Sequence, residues 1–180
     1  GRADRIRDAM LDVMSSRFAD FARYLSLNEA VYKQVLLTDS RDVIFQADPF
    51  PATKLEVFCE NELIGHSHFA RRWLQLTYGV RAFRHLADKP FICSGTTIGP
   101  VAEVLAYARK QAEQCARVMA CAGADQAVHN VIIHRGWVDA ELRRFGDGAV
   151  ITLNGISFER LRVVDGRVLD ELGEPYPVVH

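Results

Sequence analysis

The run Val-Leu-Leu-Thr at residues 35–38 constrains this chain more than any other feature, because it does not alternate and it ends abruptly in Asp39-Ser40-Arg41-Asp42. A strand with one wet face alternates apolar and polar side chains; a strand covered on both faces does not. The run therefore reads as a strand from the middle of an α/β sheet. A second apolar run, Val43-Ile44-Phe45, and then Asp48-Pro49-Phe50 follow the acids. A buried strand that stops in charge needs a reason to stop there.

The rest of the chain supplies the sheet's context. Ile6, Met10, Val13, Met14, Phe18, Phe21 and Leu25 recur at steps of three and four and predict an amphipathic helix over residues 4–25. Residues 54–58 and 91–93 read as further strands, and residues 66–79 as a helix closed by Gly79. Pro100 opens a long helix whose buried stripe runs from Val101 to Met119, and residues 124–133 form another after the Ala122-Gly123 turn. The tail is rich in β-branched residues broken by Asn154-Gly155 and Asp165-Gly166, both hairpin signals. Strands alternating with helices predict an α/β fold: an open, mostly parallel (mixed) sheet flanked by helices, with a C-terminal β-hairpin region, in one domain over residues 1–180. Ligands of such sheets bind beyond the carboxyl ends of the strands. Two of those ends carry polar clusters here, residues 39–42 and 94–97.

Composition narrows the partners. With 180 residues, 49% hydrophobic and 25% charged, the chain can bury a core, and its net charge of −1 gives no general attraction to nucleic acid or anionic lipid. Arg71-Arg72 and Arg143-Arg144 read as solvated helix faces. No stretch reaches the ~20 apolar residues of a membrane span, and no signal peptide is visible. Cys59, Cys93, Cys115 and Cys121 lack zinc-knuckle spacing and read as small buried hydrophobes in a reducing, cytoplasmic setting. The chain begins at Gly1, as a fragment would.

Taken alone, the chemistry-bearing residues leave two readings each. Asp39 and Asp42 suit a hard divalent cation, or they cap a turn and pair with Arg41. In Ser94-Gly95-Thr96-Thr97, a glycine lets backbone approach a ligand and the hydroxyls offer hydrogen bonds; the same residues make an ordinary turn. In Ala124-Asp125-Gln126-Ala127-Val128-His129-Asn130, Gln126 and Asn130 share a helix face, and Asp125 stands where an acid either serves a site or caps the helix. His180 is either a metal ligand or an exposed terminal residue, while His66, His68, His129 and His134 show no metal spacing. There is no P-loop and no Gly-x-Gly-x-x-Gly.

The order of these motifs resembles that of nucleotide-sugar-dependent glycosyltransferases with the GT-A fold. The run at residues 36–50 is similar to that family's acidic Asp-x-Asp strand end with its apolar run and Asp-Pro. The resemblance implies a Rossmann-like fold and transfer of a sugar from a nucleotide-diphosphate donor to a carbohydrate or other hydroxyl acceptor. It further implies Mn²⁺ or Mg²⁺ held by Asp42 and, through the C-terminal strand-turn-strand, by His180. Ser40 stands where the family's first aspartate belongs, so Asp39 is assigned to the ribose or to orienting Arg41, and Arg41 to phosphate or to holding Asp39. Ser94, Gly95 and Thr96 are implied to lie against the donor sugar, with Gln126 and Asn130 nearby, and Asp125 to be the catalytic carboxylate beside that sugar, catalytic base being one of the roles assigned to it in the family. Only one helix precedes the acidic motif, where the family has strands that hold the base and ribose. Two rivals stand beside this reading: a non-catalytic or truncated α/β interaction domain, and a nucleotidyltransferase.

Overall fold

A computed structural model describes residues 2–118, 121–154, 156 and 161–180, with side chains of the first helix described from residue 13 onward. Helix α1 (Arg2–Asn28) leads into strand β1 (Gln34–Thr38), the short β2 (Ile44–Phe45) and β3 (Glu56–Leu63). Helix α2 (His68–Leu86), strand β4 (Pro90–Pro100), and helices α3 (Val101–Cys115) and α4 (Ala124–His134) follow. The tail carries β5 (Glu141–Arg143), β6 (Val150–Ile151), β7 (Arg162–Val164), β8 (Arg167–Leu169) and β9 (Val178–Val179).

The fold is α/β with mixed sheets. The main sheet has the order β1-β4-β3-β5; β4 runs antiparallel to both β1 and β3, and β3 runs parallel to β5. A second sheet, β2-β9-β6, pairs β9 antiparallel to β2 and parallel to β6. The expected mostly parallel sheet is therefore corrected, and α2 shows why. A straight helix of that length carries the chain to the sheet's far end and makes a parallel crossover. Here Gly79 (φ 83°, ψ 168°) breaks α2 midway, and the chain returns to where it left, with Ile64 N–H bonded to Lys89 O and Leu63 paired with Pro90. The expected helix end at Gly79 is therefore corrected: Gly79 kinks α2, which runs on to Leu86.

Helices α1, α3 and α4 cover one face of the main sheet through Leu55, Val57, Cys59 and Ile92 packed on Phe18, Leu105 and Val128. Phe58 and Ile98 point to the other face, against Val150 and Val178 of the small sheet. The helical stripe of α1 is confirmed at Phe18 and Leu25, which are buried, but Val13 and Met14 are exposed; Ile6 and Met10 lie outside the described side chains. Contrary to the reading of the 35–38 run, β1 is an edge strand and all its residues are half-buried. Arg143 is not on a helix face either: it sits on β5 and bonds Glu56 at 2.6 Å.

The Asp165-Gly166 hairpin forms as predicted. Both turn residues have positive φ (49° and 75°), the geometry of a two-residue primed turn, and Val164 pairs with Arg167. The Asn154-Gly155 turn falls partly outside the described residues. Among the described residues, no helix is long and apolar enough to cross a membrane.

Candidate functional site

Strand β1 ends at Thr38, and the next residue turns its carboxylate toward the middle of the molecule. Asp39 N–H still bonds Gly95 O of β4, which fixes where that side chain starts. The chain's last strand, β9, delivers His180 to the same place, held by His180 N–H to Ile151 O and Leu153 N–H to His180 O. His180 Nε2 lies 3.7 Å from Asp39 Oδ2 and 3.7 Å from Asp42 Oδ1. One donor atom from each of Asp39, Asp42 and His180 falls within 4.8 Å of the others. Two carboxylate oxygens and an imidazole nitrogen form a donor set suited to Mn²⁺, or to Mg²⁺ with water completing the shell. Gly95 makes room for it: a Cβ there would come within 3.0 Å of both His180 and Asp39.

The charge around this cluster is arranged by a residue not singled out in the sequence. Arg17 of α1 donates to Asp39 Oδ1 at 2.5 Å and to Asp125 Oδ2 at 2.9 Å, joining two carboxylates from distant parts of the chain. Burial works against the Asp39 carboxylate, but the hydrogen bond and charge of His180, with Arg17, outweigh it and hold its pKa below the ordinary range. At Asp125, which is only 3% exposed, burial wins over Arg17 and the pKa rises. His180 is pulled the other way: burial disfavours its charge, yet Asp39 and Cys93 raise its pKa to about 10. Without a metal, the imidazole is therefore a cation between two acids. A metal ion bound there would take the place of that proton, because a histidine ligand must be neutral.

These groups line a cavity of about 560 Å³, the size of a small-ligand site. Cys93, Ser94 and Gly95 form its floor, Trp73 and Gly123 one wall, and Glu60 and Asn154 another. The Trp73 ring packs directly on Gly123, whose φ of 72° already favours glycine. Cys93 Sγ is 3.3 Å from His180 Nδ1, so one ring nitrogen is held by the thiol while the other faces the two carboxylates.

Several sequence-predicted residues do other work. Residues 94–97 are not a loop: β4 is continuous, and Thr96 is fully buried opposite Thr38, away from the cavity. The β-branched Thr96-Thr97-Ile98 run favours strand, and pairing with β1 on one side and β3 on the other fixes it. Asn130 is fully buried; it accepts from Ile92 N–H and donates to Ile92 O, both at 2.9 Å. Gln126 accepts from Ser94 N–H at 2.9 Å and from the Ser94 hydroxyl, and donates to Ile92 O at 2.5 Å. The β1 pairing covers only Thr96 to Pro100, so the amides of α4 take the β4 backbone groups that lie beyond the end of β1. That satisfies buried donors and acceptors which would otherwise cost about 1–3 kcal/mol each. Ser94 and Gln126 still border the cavity, but their polar atoms are committed to each other. Arg41 is exposed, and the arginine that holds Asp39 is Arg17.

Arg17 and Glu60 are the residues that sequence reasoning missed. Arg17 had a signal: it is three residues from Met14 and four from Phe21, a cation on the apolar face of a helix. Glu60 follows Val57-Phe58-Cys59 with nothing in the sequence to separate it from the acids that follow. Comparison of the chain with protein-family models gives no match, and comparison with curated proteins gives none either.

Proposed function

We propose that the chain is a divalent-metal-dependent glycosyltransferase domain of the GT-A type, transferring a sugar from a nucleotide-diphosphate sugar to an acceptor hydroxyl. The observation that carries the reading is the convergence of Asp39, Asp42 and His180, from opposite ends of the sequence, on one side of a ligand-sized cavity. Asp42, His180 and one oxygen of Asp39 would hold Mn²⁺ or Mg²⁺, and the ion supplies positive charge for a leaving diphosphate. Arg17 keeps Asp39 ionised and oriented, and Gly95 keeps the floor low enough for the cluster to close. Asp125 is tied to Arg17 and shapes the cavity beside the donor. The four free thiols fit a cytoplasmic setting.

The test is Mn²⁺-dependent release of nucleoside diphosphate from a panel of nucleotide sugars. Asp42 is 70% exposed, so Asp42→Asn leaves the fold intact and is expected to abolish both Mn²⁺ binding and turnover. Turnover unchanged in that variant removes the assignment.

A second reading has its own support. The outer edge of β1 borders an apolar groove of about 490 Å³ that includes Tyr24, Val35, Leu37, Phe45 and Phe50. An interaction domain derived from such a transferase would use that edge and bind no metal. Calorimetric titration with Mn²⁺ and then UDP or GDP separates the two.

A further inference from the structure

The acids of the cavity differ in what holds them. Asp39 is bound by Arg17 and faces His180. Asp125 is bound by Arg17 and is almost sealed. Asp42 is exposed and faces His180. Glu60 is unlike all three. It sits on β3, only 7% exposed, and no lysine, arginine or histidine among the described residues forms an ion pair with it. Among the described residues its one side-chain hydrogen bond is to the amide of Asn154, which donates to Oε2 at 2.5 Å. Among the described residues Oε1 has no hydrogen-bond partner, and Glu60 lines the cavity.

A carboxylate on a cavity wall, held largely out of water and oriented through one oxygen, is arranged to exchange a proton with a ligand. We propose that Glu60 is the base that takes the proton from the acceptor hydroxyl, with inversion at the anomeric carbon. This rests on the glycosyltransferase reading of the same cavity. The acceptor oxygen forms its bond to the anomeric carbon as the bond from that carbon to the diphosphate oxygen breaks. The electron pair of that bond leaves with the diphosphate, the hydroxyl proton passes to Glu60 Oε1, and Glu60 later returns it to solvent. Inversion follows from this single displacement, with the acceptor attacking the anomeric carbon from the face opposite the departing diphosphate. The environment suits the role. Burial, opposed by the Asn154 bond and His180 and assisted by Glu62, raises the Glu60 carboxyl to about 7. That is close to the pH at which a base is most useful.

The experiment compares wild type, Glu60→Gln and Glu60→Asp as full chains. Glu60→Gln keeps shape and can still accept the Asn154 bond. It is expected to lower kcat by about 100-fold or more, while KM for the donor and calorimetric affinity for Mn²⁺ with UDP or GDP stay within about threefold of wild type. Glu60→Asp should recover part of the rate, and proton NMR of the wild-type product should show the inverted anomer. Turnover by Glu60→Gln close to wild type overturns the assignment and leaves the transferase reading standing. So does a retained anomer, and so does a parallel loss of nucleotide affinity, which would make the residue structural. A wild-type chain that binds neither Mn²⁺ nor nucleotide and turns over no donor overturns both.

Discussion

Glu60→Gln also tests the fold's electrostatics without any substrate. The Glu60 carboxyl is held at about 7 in the folded chain, against 4.5 for an unperturbed glutamate, with burial as the main cause. Below pH 4.5 the group is protonated in both folded and unfolded chains and has no differential effect. Between 4.5 and about 7 the unfolded chain gives up its proton first, so folding loses stability as pH rises. Above pH 7 the folded state carries the full burden of a buried charge. At about 1.36 kcal/mol per pH step, this amounts to about 3 kcal/mol. Glutamine never ionises, so the variant escapes that loss. Urea unfolding of both proteins at pH 4.5 and pH 8 should show the stability of Glu60→Gln relative to wild type rising by about 3 kcal/mol across the interval. In a chain of this size that is roughly 6–12 °C in Tm. Taking the difference between the two proteins cancels the titrations of all other groups. A difference that stays constant within about 1 kcal/mol from pH 4.5 to 8 would refute the reasoning, and with it the claim that the Glu60 charge is poorly solvated.

Two further outcomes follow from the cluster's geometry. Gly95→Ala places a methyl group within 3.0 Å of His180 and Asp39, and should weaken Mn²⁺ binding by calorimetry by about tenfold or more. The overall fold should survive, seen as an unchanged far-ultraviolet circular dichroism spectrum. Arg17→Met removes the cation shared by Asp39 and Asp125 and leaves the Asp125 carboxylate buried and unpaired. At pH 7 it should cost about 3 kcal/mol in urea unfolding, and the loss should shrink toward acid pH as Asp125 takes up a proton.

Local signals carried what is local. The Asp165-Gly166 hairpin was readable because a two-residue turn with positive φ at both positions selects those residues. Helix α4 was readable to within a residue because apolar periodicity and the Gly123 turn define it. The acidic strand end and His180 were each legible as polar endings with a bland reading beside the metal one; that they meet was not legible.

Tertiary structure decided the rest. Whether β4 runs with or against β3 depends on where α2 delivers the chain, and one non-helical residue, Gly79, sets that. The amide pair Gln126 and Asn130 looked like donor contacts; the end of β1 at Thr38 turned them into partners for β4 backbone. Arg17 bridges acids 22 and 108 residues away, and His180 meets acids near the start of the sheet. No local pattern encodes such meetings. The sequence by itself determined the helices α1, α3 and α4, the cores of β1, β3 and β4, and that β1 ends at something polar. Only the packing of the helical layer and the small sheet on opposite faces of the main sheet decided which charges meet there, because Coulomb and hydrogen-bond partners are chosen by distance in space and not along the chain.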